Sequence, residues 1–513
     1  MAKNRIEFGD FQTPGDLAES VIALLRALSI SPSIIVEPTC GLGSFVRAAI
    51  KGFPTARQVF AFDINPEYIS GLSKSPGQTQ GCRFQATQQD FFTFDWTNFF
   101  KAFPDDILVI GNPPWVTNST LGALGGDNLP RKTNFQNHPG FAARTGKANF
   151  DISEWIMIKL LESLNNHRGC LAMLCKIAAA RKVLRYAWIN RLNIGRTTIH
   201  QINAAAHFGV AVEACLLIVH IGDAPSSPRA GIYDGLNFDH PVTTCGLIGN
   251  DLVADIKEYE NLRDIDGLAY YTWRSGVKHD AASVMELKCE DNVFSNGTNE
   301  RIDLESTYIY PLLKSSDIAN GRLIPHRYMI VTQRNPSAGT EIISRTAPKT
   351  WTYLMRHADI LDRRQSIIYK KRARFSVFGV GDYTFSPWKI AISGLYKNLR
   401  FEMIGKYRDK PVVFDDTCYF IPCGSEIEAS FVYRLFNSDI VQRFLRSLVF
   451  FDAKRPITID KLNRIDLNQV ARRLGLENEA KAYLRNAATF EDRQSAFVFA
   501  ELPEYQGNES RIF

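Results

Sequence analysis

Apolar positions in the first 220 residues or so alternate between two rhythms. Leu17, Val21, Leu24, Leu25 and Leu28 recur at the spacing of one helix face, which predicts a helix over 15–28. The β-branched run Ile34-Ile35-Val36 then predicts a buried strand, and helical spacing returns from Phe45 to Ile50. Val59-Phe60-Ala61-Phe62 reads as a second strand ending at Asp63, with a helix opening near Pro66. Further strands are predicted at 83–86, 107–110, 171–175 and 214–221, with a helix at 151–164. Strands alternating with helices indicate an α/β fold with a doubly wound, mostly parallel sheet. Ligands of such sheets bind at the carboxyl ends of the strands.

The rhythm stops at 222–232, a stretch rich in Pro, Ser and Gly that predicts a boundary between domains at 1–223 and 224–513. Beyond it, strand-like pieces at 328–332, 366–369, 389–392 and 418–421 alternate with turns, and 426–449 reads as a helix. This second domain is expected to be mixed α+β.

A chain of 513 residues is long enough for more than one domain. With 45% hydrophobic and 22% charged residues it is neither disordered nor fibrous. No apolar run approaches the ~18 residues of a membrane span, and residues 1–8 lack a signal peptide's apolar stretch. The nine cysteines include no C-x-x-C pair; the two nearest pairs, Cys170/Cys175 and Cys418/Cys423, sit in strand-like apolar runs. They are read as buried free thiols in a reducing compartment, with no metal site. A soluble, cytoplasmic protein is expected.

The formal net charge of +6 says little until it is located. Residues 356–410 hold thirteen Lys or Arg against five acids, a local +8, so the rest of the chain sums to −2. Aromatic residues are interleaved through the same stretch, among them Tyr369, Phe375, Tyr383, Trp388 and Tyr396. Cations in that setting can neutralise phosphates, and Lys370, Lys371, Arg372, Arg374, Lys389 and Lys397 are the candidate contacts to a nucleic-acid backbone. A solvated charged surface is the alternative.

The candidate chemistry lies at the strand ends of the first half. Gly41-Leu42-Gly43 follows the first strand and lets a ligand approach the backbone, unless it is only a tight turn. Asp63 closes the second strand 20 positions after Gly43, where a carboxylate can accept both hydroxyls of a ribose. The full G-x-G-x-x-G pattern is missing, which favours a ribose-bearing ligand without a pyrophosphate, such as S-adenosylmethionine. Asp90, before Phe91-Phe92, can accept an adenine amino group or serve as a cap. Asn112-Pro113-Pro114-Trp115 follows the fourth strand. Two prolines force a rigid exit from the sheet. That fixes two acceptors, the Asn112 side-chain oxygen and the Pro113 carbonyl, where they can converge on one planar amino group, with the Trp115 ring to stack against it.

These pieces, in this order, resemble the amino-group DNA methyltransferases that use S-adenosylmethionine, of the adenine-N6 type typified by the Taq enzyme. Phe11-Gln12-Thr13-Pro14 resembles the family's F-x-T-P segment, which closes over the cofactor. The run from Glu37 to Phe45 resembles its E-P-A-C-G-x-G-x-F loop, and residues 112–115 its N-P-P-aromatic motif. The resemblance implies a Rossmann-like catalytic domain whose cofactor is held by Phe11 and Thr13, by Glu37, Thr39, Gly41 and Gly43, by Asp63 and Ile64, and by Asp90, Phe91 and Pro113. It also implies that Asn112, Pro113, Pro114 and Trp115 are catalytic. Gly146-Lys147-Ala148-Asn149-Phe150 looks like the G-x-x-N-aromatic element. His207-Phe208 matches the place of a second base-stacking aromatic, although a lone Phe there also reads as core. Trp115 departs from the family's usual Tyr or Phe, and Asn112 implies adenine N6 ahead of cytosine N4.

The implied activity is sequence-specific methylation of a flipped adenine in duplex DNA, in a restriction-modification or related defence system with a separate cognate endonuclease. Segments 312–318 and 414–420 look like recurrent pieces of target-recognition domains. Residues 117–146, rich in Gly and Asn, are expected to form a loop that orders over DNA. A monomer or weak dimer, associated with the nucleoid through DNA, goes with this reading. The alternatives are an RNA or protein-glutamine methyltransferase and an inactive DNA-binding specificity module.

Overall fold

The structure, a computed structural model, describes residues 11–75, 77, 81–103, 106–116, 151–222, 227–237, 239–290, 293–370, 372–453 and 455–484. The chain forms two compact units, Met1–Lys257 and Glu258–Phe513.

The first unit is built on one sheet. Its strands are β1 (Ile34–Glu37), β2 (Gln58–Asp63), β3 (Arg83–Gln88), β4 (Ile107–Gly111), β5 (Gly169–Lys176), β6 (Ile194–Ile202), β7 (Ala214–Ile221), β8 (Arg229–Tyr233), β9 (Thr243–Ile248) and β10 (Asp251–Val253). They lie in the order β10-β9-β8-β6-β7-β5-β4-β1-β2-β3. From β3 to β5 every pairing is parallel, and β7 enters antiparallel between β5 and β6. The order reverses between β1 and β4, so the crevice for a ligand opens at their carboxyl ends.

Period-two alternation explains why these strands read as continuous apolar runs. Leu108 and Ile110 of β4 share a core with helix α1 (Gly15–Ala27) and helix α2 (Ser44–Gly52). Ile107 and Val109 must point to the opposite face, and they are equally buried, so both faces are covered. Among the described residues five further helices follow: α3 (Pro66–Lys74), α4 (Trp96–Phe100), α5 (Ile152–Ser163), α6 (Ile177–Ile189) and α7 (Ala204–Phe208). The stretch at 222–232 does not end the sheet. Gly222, at φ +81°, turns the chain out of β7, and β8 pairs in parallel with β6, so the first unit continues past the 1–223 expected.

The second unit holds two smaller sheets. One has the order β14-β13-β12-β16-β15-β19, with β12 (Glu286–Glu290), β13 (Val293–Asn296), β14 (Arg301–Ile302), β15 (Ile309–Leu313), β16 (Arg327–Ile330) and β19 (Val413–Phe414). The other runs β11-β20-β17-β18, with β11 (Arg274–Ser275), β17 (Trp388–Ser393), β18 (Phe401–Ile404) and β20 (Cys418–Cys423).

Two expectations need correction here. Residues 366–369 are not a strand; Ile367–Tyr369 is a 3-10 turn, and the Arg364 guanidinium lies 3.8 Å from the Tyr369 ring centre. The single helix at 426–449 is two helices, Glu426–Phe436 and Asp439–Leu448. Ser438 is extended between them, and its hydroxyl accepts the Val441 N–H and so caps the second helix.

All nine cysteines are free. Among the described residues no helix is long and apolar enough to cross a membrane, and no cluster of His, Cys, Asp or Glu is placed to hold a metal.

Candidate active site

The turn from β1 into α2 needs its glycines. Gly41 has φ +49° and Gly43 φ +81°, and a Cβ on Gly43 would fall 2.5 Å from Leu72 Cδ1. Glu37 lies buried beneath this turn and accepts the Val46 N–H at 3.0 Å in the first turn of α2. Burial pushes its carboxyl well above the usual range, although the Val46 hydrogen bond opposes the shift. Asp63, at the end of β2, accepts the Gly41 N–H and the Asn65 N–H, each at 2.8 Å, so its carboxylate is pinned beside the glycine turn. Thr39 Oγ1 is buried with no hydrogen-bond partner among the described residues.

The neighbouring strand end is less committed to a ligand. Asp90 Oδ1 accepts the Phe92 N–H at 2.9 Å, which is the turn-capping role open to it. Phe91 is buried against Trp96 with ring centres 5.0 Å apart, while Phe92 meets Trp155 at 5.1 Å. Ile64 is 48% exposed at the lip of the site.

The N-P-P-W motif leaves β4 beside this turn. The Asn112 amide nitrogen donates to Phe11 O at 2.9 Å and to Thr13 Oγ1 at 3.2 Å. Both amide hydrogens are thereby used, which orients the group; Asn112 Oδ1 is buried and has no partner among the described residues. Gln12 Oε1 accepts the Leu42 N–H at 2.9 Å. The F-x-T-P segment thus ties the glycine turn to the N-P-P-W motif.

Trp115 is 5% exposed, and its indole N–H donates to Leu174 O at 3.2 Å. Its ring centre lies 5.1 Å from that of Phe208 at 70° and 6.1 Å from that of Phe11. Three aromatic side chains far apart in the sequence therefore meet at one place. Phe208 stands at the end of α7, and Gly209, at φ +68°, closes that helix. Sequence reasoning missed Lys176. Its ammonium donates to Trp115 O at 2.8 Å and to Asp151 Oδ2 at 2.7 Å. A lysine at a strand end carries no motif that would have flagged it. The segments 117–146 and 146–150 lie outside the described residues.

The cations proposed for DNA separate in the second unit. Lys370, Arg372, Arg374 and Lys397 are exposed, and Lys371 lies outside the described residues. Arg374 pairs with Asp362 at 2.7 Å, and Arg372 donates to Pro336 O at 2.7 Å. Lys389 is corrected: it is 1% exposed, and its ammonium donates to Ser386 O at 2.8 Å and Val412 O at 2.9 Å. Burial lowers its pKa to about 7. A side chain held in this way inside β17 cannot reach a phosphate.

A mostly parallel sheet that takes in an antiparallel β7, with a glycine turn after β1, a pinned carboxylate closing β2 and N-P-P-W after β4, has the arrangement of a Rossmann-like, S-adenosylmethionine-dependent methyltransferase. The residues present fit that cofactor: a carboxylate for ribose hydroxyls, a Thr39 hydroxyl without a partner among the described residues, and a turn in which Gly41 and Gly43 carry no side chain.

No protein-family model matches the chain. It is 43% identical over 472 residues, 92% of its length and 98% of the relative's, to the Type II methyltransferase M.NspV of Nostoc sp.. The chain belongs to the Type II restriction-modification DNA methyltransferases. It is also 31% identical over 118 residues to the Type II methyltransferase M.CvrRI of Paramecium bursaria Chlorella virus XZ-6E, which covers 23% of this chain and 27% of that one. The fold is similar to that of the Type IIL restriction-modification enzyme MmeI, solved with DNA, at TM-score 0.52 and 13% identity, covering 98% of this chain and 70% of that one.

Proposed function

We propose that this enzyme methylates the N6 amino group of an adenine rotated out of duplex DNA at a specific sequence. The observation that carries the reading is the orientation of Asn112. Its nitrogen is fully engaged by Phe11 and Thr13, and its oxygen is left buried without a donor among the described residues. A lone buried acceptor is costly unless a ligand supplies the donor. An exocyclic amino group supplies one N–H to Asn112 Oδ1 and the other to the Pro113 carbonyl. With both hydrogens held, its lone pair faces the methyl group.

S-adenosylmethionine supplies that methyl on a positively charged sulfur. Asp63 accepts the ribose hydroxyls, and Glu37, Thr39, Gly41 and Gly43 shape the turn beneath the cofactor, with Phe11 and Thr13 closing over it. Asp90, Phe91 and Ile64 line the adenine side. Trp115 and Phe208 take the flipped base between them, so their edge-on contact gives way to stacking. Catalysis is positioning and electrostatics, with no covalent enzyme intermediate.

The first unit is the catalytic domain and the second recognises the target, with Lys370, Lys371, Arg372, Arg374 and Lys397 meeting phosphates. A separate cognate endonuclease and residence on chromosomal DNA accompany this reading. The test supplies methyl-labelled cofactor with unmethylated duplex DNA, RNA and protein extract together, then separates the labelled nucleosides. Label should appear as N6-methyladenine in DNA. Label in N4-methylcytosine, RNA or a protein glutamine would contradict the proposal.

A further inference from the structure

The catalytic motif is held from outside by a group that no motif includes. Trp115 leaves β4 on a backbone that two prolines stiffen but do not anchor. Three contacts from the far side anchor it. The indole N–H bonds to Leu174 O at 3.2 Å, the Ile152 N–H bonds to Val116 O at 2.9 Å, and the Lys176 ammonium bonds to Trp115 O at 2.8 Å. Only the last of these uses a side chain that substitution can remove cleanly.

Lys176 sits at the carboxyl end of β5, next to β4 in the sheet. Its ammonium also meets Asp151 Oδ2 at 2.7 Å, and the other Asp151 oxygen caps α5 by accepting the Ser153 N–H at 3.1 Å and hydroxyl at 2.6 Å. The Lys176 side chain is 27% exposed and that of Asp151 10%, so the pair is shielded from solvent screening more than a surface pair would be. One cation therefore joins three things: the motif's backbone, the start of α5 and the end of β5.

We propose that Lys176 is a positioning residue for methyl transfer, fixing the Trp115 backbone so that the motif presents its acceptors and ring to the base. This rests on the reading that the motif faces the substrate base. Lys176 touches neither the acceptors nor the ring. Its effect is on geometry, where a displacement of about 1 Å can cost about a hundredfold in rate.

The experiment uses the full chain, S-adenosylmethionine and unmethylated bacteriophage DNA, counting methyl transferred irrespective of the base modified. Lys176→Met should lower kcat tenfold to a hundredfold, on the order of that geometric effect. KM for DNA and Kd for the cofactor should stay within about twofold, and Lys176→Arg should restore most of the rate. Removing the lysine alone leaves Asp151 as an uncompensated charge, so Lys176→Met/Asp151→Asn is made alongside. That variant keeps an acceptor for Ser153 and should melt within a few degrees of wild type while retaining the loss in kcat.

A kcat within about twofold of wild type in the double variant would overturn the proposal. So would a loss that tracks melting temperature or cofactor affinity, since that is a folding role. Asn112→Ala, run in parallel, tests the site reading separately: turnover retained there refutes the motif's role in the reaction, while the Lys176 comparison still reads what the clamp does.

Discussion

The strand ends of the first unit and the basic stretch of the second hold their polar groups differently. At the strand ends of the first unit, backbone amides fix Asp63, and Phe11 O and Thr13 Oγ1 fix the Asn112 amide nitrogen; Asn112 Oδ1 and Thr39 Oγ1 are buried without partners among the described residues. In the basic stretch of the second unit, internal partners take up much of the charge. Lys389 is bound to two carbonyls in the interior, Arg364 donates to the His279 and Ser376 carbonyls, Arg374 pairs with Asp362 and Arg356 with Glu300. Unsatisfied atoms alone do not mark a reaction site, since Ser376 Oγ in the basic stretch is also buried without a partner among the described residues. What marks it is their place at the carboxyl ends of parallel strands, and a charge count does not say which charges face outward.

The largest effect that could break this contrast is at Asn112. Asn112→Ala removes the unsatisfied acceptor and should lower kcat by about a hundredfold to a thousandfold, the scale seen when a single preorganised polar group is lost. Cofactor and DNA affinity, measured by titration, should change little. Next in size, replacing Lys370, Arg372 and Lys397 together with Gln should weaken DNA binding whatever the sequence. It should also flatten the plot of log K against log salt by about 0.9 for each phosphate no longer neutralised.

The smallest effect sharpens the contrast from the other side. Lys389→Met should leave DNA affinity and its salt dependence within about twofold of wild type, because the side chain is internal. Its signature lies in stability. With the folded pKa lowered to about 7, the unfolded chain binds more protons between there and the ordinary lysine value. Lys389 therefore contributes stability that grows as pH rises through that window, by at most about 1.4 kcal/mol per pH unit, while buried thiols such as Cys245, whose pKa is raised to about 11, act in the opposite direction. In thermal unfolding from pH 7 to 10, wild type should gain stability relative to Lys389→Met as pH rises, since the variant keeps every other titrating group.

How legible each region was follows from what creates its geometry. The glycine turn, Asp63 and Asn112 sit where a strand stops, and hydrophobic periodicity marks strand ends clearly. Phe208 could be placed beside Trp115 only through its likeness to a known family, because the contact joins residues far apart in sequence. Lys176 and Asp151 had no local mark at all; their meaning arises only when β5 is laid beside β4. Lys389 was misread because its strand, Trp388–Ser393, is buried from Lys389 onward, and a single lysine within such a run looks the same in sequence whether it faces in or out. Strands β8 to β10 were missed for a related reason: a stretch of sequence rich in Pro, Ser and Gly looks the same whether a sheet ends there or continues beyond it.

The central claim is that Asn112 and the Pro113 carbonyl receive an adenine amino group at a defined DNA sequence. It is tested most directly by expressing the enzyme in a host without DNA methylation and sequencing the DNA by a method that detects modified bases. One motif should carry N6-methyladenine at essentially every occurrence, and none should in cells making Asn112→Ala. Modification of cytosine, scattered adenine modification without a motif, or full modification by the Asn112→Ala enzyme would contradict the account.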